Sequence, residues 1–187
     1  ARQLRQYSII GQAPGSYTIA VETEGEVSTH LRDNVQVGDT IQATLAAGDL
    51  VLLDDDSPLV LISSGIGSTP MVGMLSHLAS TGSDRPTTYL HADDSEAVHA
   101  QLGQTIALLE RLPDVTVAHS YRSNGELVDV ASDLPTPFDI VGHSLGGYLG
   151  LRLAHEFPVR TLVGVGACFR GLPLPPRRLV RKAIPLV

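Results

Sequence analysis

The chain has one cysteine, no tryptophan and few aromatic side chains, only 4% of its 187 residues. A lone thiol, Cys168, cannot close an internal disulfide, and it cannot ligate an iron–sulfur cluster by itself. Long apolar runs are also absent. The longest, such as Pro58-Leu-Val-Leu-Ile62, falls far short of the roughly 20 residues needed to span a bilayer, so no membrane partner is expected. Arg2 and Arg5 lead into an alternating pattern rather than an apolar block, which argues against a signal peptide and for a reducing, cytoplasmic setting. His91 and His99 fit no common metal-ligand spacing, so no metal is expected. Basic charge is scarce too. The net charge of -7 argues against nucleic acid as a partner, although past Ser144 the only acid, Glu156, faces seven Arg and Lys residues. That basic end is expected to be solvated. A start at Ala rather than Met fits a fragment of a longer protein.

Two sequence styles meet near Asp54–Pro58. Upstream, Tyr17, Ile19 and Val21 alternate with Thr18, Ala20 and Glu22, which predicts a half-buried strand. Asp39 to Leu45 repeats the pattern through Ile41, Ala43 and Leu45, with a short helix over Ser28–Asn34 between the two. Downstream, strands alternate with helices. Leu59–Ser63 is continuously apolar, as a strand buried on both faces must be. Thr69 offers an N-cap and Pro70 a first helical residue, opening a helix with Met71, Met74, Leu75 and Leu78 on one face. Thr87–His91 predicts a strand. A long helix follows from Asp94 or Ser95 with Val98, Leu102, Ile106, Leu109 and Leu112 aligned, ended by Pro113. Val115–Ala118, Phe138–Val141 and Thr161–Ala167 complete the strands. The expected fold is α/β: a partial antiparallel β-barrel over 1–55, then a parallel-sheet nucleotide-binding domain over 56–187.

Three motifs carry chemistry. Arg5-Gln-Tyr-Ser8 opens a strand-like stretch, Gly25-Glu-Val-Ser28 precedes the first helix, and Ser63-Ser-Gly-Ile-Gly-Ser-Thr-Pro-Met71 joins a buried strand to a helix. A guanidinium fork suits phosphate, and a helix start offers unpaired N–H groups to an anion. Taken one at a time, these are ordinary strand and turn residues. In this order they resemble the ferredoxin-reductase-like FAD/NAD(P)-binding reductases, of the flavohaemoglobin and oxygenase-reductase type, over about residues 1–139. The resemblance implies that Arg5 and the Gly25, Val27, Ser28 turn hold the FAD pyrophosphate. It places Tyr7 and Ser8 at the reacting ring, and Gly65, Gly67, Thr69 and Pro70 at the nicotinamide nucleotide. It further implies hydride transfer from NAD(P)H to FAD, with electrons passed to a separate protein or domain of haem or oxygenase type. Asp93 and Asp94, at the next strand's end, favour NADH by repelling a 2′-phosphate, while Arg122 would favour NADPH. The early barrel strands of the family have no counterpart in the sequence. Its later Cys-Gly-Pro is replaced by Val141-Gly-His143, of which only Gly142 matches.

Phe138-Asp-Ile-Val-Gly-His-Ser-Leu-Gly-Gly147 resembles a different family, the α/β-hydrolases, at their nucleophile elbow. That resemblance implies Ser144 as a nucleophile. In that fold the acid and histidine follow the serine, yet no Asp follows Ser144, and His155 and Glu156 lie on the helix that Ser144 would open. A helix cap or a tight packing turn at Ser144 is the alternative. Three functions remain open from sequence: a flavin reductase, a serine hydrolase using Ser144, and a non-catalytic chimera or fragment.

Overall fold

The computed structural model describes residues 3–48, 50–125, 137–143 and 145–165. A short antiparallel hairpin comes first, β1 (Ile9–Ala13) and β2 (Ser16–Ile19), turning through Pro14 and Gly15. Helix α1 (Glu26–Asn34) follows. The rest is an α/β unit: β3 (Leu59–Ser64), α2 (Ser68–Thr81), β4 (Thr87–Asp93), α3 (Leu102–Leu109), β5 (Val115–Tyr121), β6 (Phe138–His143), α4 (Leu145–Glu156) and β7 (Val159–Val165). The five strands pair in parallel in the order β5-β4-β3-β6-β7.

Central β3 shows why its sequence is uninterruptedly apolar. Leu59 and Leu61 point to one face, where Met71, Leu75 and Leu78 of α2 and Leu108 and Leu109 of α3 cover them. Val60 and Ile62 point to the other, against Leu153 of α4 with Leu149 and Phe157 alongside. The period of two splits a single hydrophobic run between two cores.

The hairpin is tied into the first of these cores. Ile10 is buried in it, and the Gln104 side-chain amide of α3 donates to the Ile10 carbonyl at 3.1 Å. Where β1 crosses α2, the backbone carbonyl of Ile9 lies against Gly73, inside the space a β-carbon would need. Only glycine permits that approach.

Beneath the sheet, the amino-terminal ends of β3 and β6 meet an ionic network in which Arg85 and Asp139 are buried while Asp55 and Arg160 reach solvent. Arg85 bonds Asp139 at 3.0 Å and Asp55 at 3.2 Å, and it donates to the Leu53 carbonyl at 3.1 Å. Arg160 joins from β7, donating to both carboxylates. Hydrogen bonding to Arg160 holds the Asp55 carboxyl below its ordinary range. The network fastens the segment before β3 to the α/β unit.

Several expectations need correction. Residues 39–45 form no strand; Ile41 and Leu45 are exposed, without a neighbouring strand to pair with. In β2, Tyr17 and Ile19 are exposed rather than half-buried, because β2 pairs only with β1 and lies on no core. The single helix expected over 95–112 is broken. A 3₁₀ turn at Glu96–Val98 and a left-handed residue, Gln101 (φ 58°), precede α3, leaving Val98 and Ile106 exposed. Finally, Arg5–Ser8 precedes β1 instead of opening it.

Candidate functional site

Strand order reverses between β3 and β6: the chain runs outward from β3 through β4 to β5, then returns to the other side for β6 and β7. Loops leaving the carboxyl ends of two such strands diverge, and the crevice between them is where open parallel sheets bind ligands. After β3 the chain makes a 3₁₀ turn at Gly65–Gly67 and enters α2 at Ser68. Gly67, not Thr69, occupies the cap, while Thr69 is the second helical residue and donates to the Ile66 carbonyl at 3.1 Å. Pro70 is the third residue, still within the first turn, where a missing N–H costs no helical bond.

After β6 the chain reaches His143. A β-carbon on Gly67 would stand 2.9 Å from His143 Nδ1 and 3.4 Å from its carbonyl oxygen, so the two loops touch across the crevice. His143 Nδ1 is buried without a hydrogen-bond partner, and burial lowers the ring's pKa, which keeps it neutral. The first turn of α4 is pressed equally close. A β-carbon on Gly142 would collide with the Gly146 carbonyl, and one on Gly146 with the Ile62 carbonyl. Packing against β3 is therefore sufficient reason for the elbow-like glycines. Ser144 lies outside the described residues. His155 and Glu156 are exposed at the far end of α4, about 15 to 17 Å from its start at 1.5 Å per residue, so they cannot serve a nucleophile there.

The other motifs meet at α1. Gly25 caps the helix, and the first helical N–H bond runs from Thr29 to the Gly25 carbonyl at 2.8 Å. The amides of Glu26 to Ser28 are thus free of helical bonds. Ser28 turns inward: its hydroxyl accepts from the Gly25 amide at 3.0 Å and the Glu24 amide at 3.1 Å. Gln3 bridges the two motifs, accepting from Arg5 at 2.9 Å while its amide donates to Glu26 at 2.9 Å. Arg5 is exposed, and Tyr7 and Ser8 are half-buried. An exposed guanidinium beside a helix start whose first amides have no helical partner fits a diphosphate, with the Ser28 hydroxyl committed to the turn itself.

At the ends of β4 and β5 lie residues whose role the sequence did not disclose. His91 is buried, with Nδ1 2.8 Å from the Ser63 hydroxyl and Nε2 3.4 Å from Asp93. His99 stacks on it with ring centres 3.9 Å apart, and His119 stands edge-on to His99 at 5.0 Å. Burial lowers the pKa of all three, and His99 falls to about 4 with the help of its two neighbours. The available signal was register: His91 pairs with His119, and Asp93 with Tyr121, so they share one sheet face. Farther out, Arg122 pairs with Asp94 at 3.0 Å, both exposed.

Among the described residues no helix is long and apolar enough to cross a membrane. No family model matches the chain. It is 42% identical over 158 residues to a flavohemoprotein of Deinococcus radiodurans, covering 82% of this chain and 38% of that protein. A flavohemoprotein of Pseudomonas putida is 39% identical over 124 residues, covering 65% of this chain and 31% of the relative. The chain therefore spans less than two fifths of these relatives. Among solved structures, the FAD/NAD-binding domain of nitric oxide dioxygenase from Vibrio cholerae superposes with a TM-score of 0.70 at 28% identity, over 88% of this chain and 78% of that one. Ferredoxin-NADP+ reductase from Plasmodium falciparum shares the fold, with a TM-score of 0.63 at 17% identity over 85% and 76% of the two chains.

Proposed function

We propose, for a chain that belongs with the FAD- and NAD-binding reductases of the flavohaemoglobin type, that it binds both cofactors and carries electrons from a nicotinamide to a haem-type acceptor. Bound FAD would accept a hydride from NADH and release electrons to that acceptor, chemistry that resides in the cofactor. What the protein contributes is position.

Arg5 and the first-turn amides of Glu26 and Val27, with Gly25 opening the turn, would hold the flavin diphosphate. Tyr7 and Ser8, three residues or fewer along the same segment, would flank its ring, the hydroxyl supplying a hydrogen bond at the reacting nitrogen. Gly65 and Gly67 would let a dinucleotide approach the start of α2, where Thr69 and Pro70 shape the first turn and Gly142 and His143 close the opposite wall. Residues 1–55 would serve as the flavin portion and the remainder as the nucleotide portion.

Asp94 is held by Arg122, so the pair presents no free cation for a 2′-phosphate. That supports NADH over NADPH. The observation that carries the whole reading is the meeting of the loops after β3 and β6 at the strand-order reversal, where Gly67 lies against His143.

Purified protein mixed anaerobically with FAD and then NADH tests the reading. Bleaching of the flavin's visible band at a rate that saturates with NADH supports it. A protein that neither retains FAD nor accelerates its reduction above the free cofactors refutes it.

A further inference from the structure

The segment between β4 and α3 is joined to the dinucleotide loop at two separate points. At the first, His99 lies on His91, whose Nδ1 is bonded to Ser63, two residues before Gly65. At the second, the Ser68 hydroxyl, at the first residue of α2, donates to the Gln101 side-chain carbonyl at 3.1 Å. Gln101 is also the one non-glycine residue with positive φ among the described residues, a backbone state that persists only where its surroundings enforce it. We propose that residues 94–101 form a proton-sensitive strap over the dinucleotide loop, released when the His91–His99–His119 stack takes up a proton.

The stack is built for neutral rings. With His91 in the Nε2–H tautomer, Ser63 donates to Nδ1 and Nε2 points to Asp93, so both of its nitrogens are served. His99 Nδ1 lies 2.9 Å from the Tyr121 hydroxyl, but its Nε2, and that of His119, are buried without a hydrogen-bond partner. An added proton would place a charge against a parallel ring 3.9 Å away and point an N–H at nothing.

The groups facing the stack offer limited compensation. β4 presents Tyr89 and Asp93, β5 presents Tyr121, and the 3₁₀ turn presents Glu96, whose charge raises the His119 pKa against the larger effect of burial. The sequences of β3 and α3 contain no titratable side chain. Among the described residues Asp93 is the only carboxylate bonded to the stack; it bonds His91, and its charge also raises the His99 pKa, without offsetting burial at either ring. Relief therefore requires the segment carrying His99 to swing into water. The enforced conformation at Gln101 marks where it would turn, and that turn would draw the carboxamide away from Ser68.

The inference rests on the dinucleotide reading of Gly65–Gly67, and its test separates the two. NAD+ affinity of the full chain is measured by calorimetry from about pH 8, where histidines are neutral, to about pH 4, so that the lowered His99 value is reached. Hydrogen exchange at residues 94–101 is followed in parallel. Wild type should lose affinity below about pH 6, with a limiting slope of about tenfold per pH unit for one coupled proton. His99→Phe keeps a stacking ring that cannot titrate, so its profile should flatten and its segment should stay protected in acid. Should His99→Phe not fold, His119→Phe provides a second comparison: it removes a neighbour that lowers the His99 pKa, so the loss of affinity should move to higher pH. Identical pH profiles in wild type and variant, with residues 94–101 protected throughout, would overturn the proposal. If NAD+ binds at no pH, the dinucleotide reading falls, and exchange alone decides the strap: acid-induced opening in wild type but not in the variant sustains it, and unchanged protection removes it.

Discussion

Gly67 and His143 face each other at the one place in the sheet where strand order reverses, with no room for a side chain at position 67. The loop after β3 and the loop after β6 are consequently a single surface, although 76 positions separate the two residues (143 − 67). That contact makes a sharp prediction. Gly67→Ala should push His143 out of place and cost about 1–3 kcal/mol through overpacking. Thermal unfolding should shift by about 2–4 °C for each kcal/mol in a chain of this size. NADH titration should weaken together with it, whereas a variant with wild-type stability and affinity would show that the crevice relaxes freely.

Gly73 is the equivalent test for the hairpin. A β-carbon there would run into the Ile9 carbonyl, which is backbone and cannot rotate aside. Gly73→Ala is expected to detach β1 from α2 while leaving the parallel sheet folded. Hydrogen exchange should show lost protection over Ile9–Ala13 and retained protection in β3 and β4.

Arg5→Ala should remove one charge-assisted contact of roughly 1.5–3 kcal/mol from flavin binding. Flavin titration should then register a loss of about ten- to a hundredfold. Unchanged affinity would mean that Arg5 does not hold the diphosphate.

At the base of the sheet, Asp139→Asn would leave the buried Arg85 guanidinium with Asp55 as its remaining ion-pair partner. Breaking one side of a buried pair typically costs about 3–5 kcal/mol. Urea unfolding should show a loss in that range, lessened by the Ser57 and Leu53 carbonyls that Arg85 retains. A loss below about 1 kcal/mol would show that the carbonyls suffice.

Stability should also fall in acid, with a sign fixed by burial. His91, His99, His119 and His143 all have pKa values lowered in the folded chain. As pH drops below about 6.5, the unfolded chain binds protons first. The folded state is therefore favoured most above that pH and loses ground as pH falls, His99 continuing to contribute down to about 4. Chemical denaturation across this interval should give a declining midpoint, and the decline should be smaller in His99→Phe.

Legibility in the sequence followed the range of the interactions involved. The run Leu59–Ser63, the glycine turn and the Met71-to-Leu78 face were readable because strand burial and helix periodicity are local, and all three stand as expected. The strand expected over 39–45 failed because alternation does not supply a partner, and Ile41 and Leu45 have none beside them. The helix expected from 95 failed for a tertiary reason: stacking of His99 on His91 and the Gln101–Ser68 bond divert the backbone just where periodicity continues. At the candidate site, Arg5 and the Gly25 turn were visible as residue types. Gln3, which bridges Arg5 and Glu26, was not, since a glutamine at that spacing carries no signature. Gly142 was noted as a remnant of a cofactor motif, but its tight fit against Gly146 and, through it, β3 could only come from three-dimensional packing.

The most direct measurement is the rate of FAD reduction by NADH under anaerobic stopped-flow conditions, comparing the intact chain with Arg5→Ala and Gly67→Ala. Saturating, protein-dependent reduction that both substitutions weaken, one through flavin affinity and the other through NADH affinity, is the expected result. Reduction no faster than in free solution, by a chain that is folded and exposed to excess of both cofactors, would contradict it.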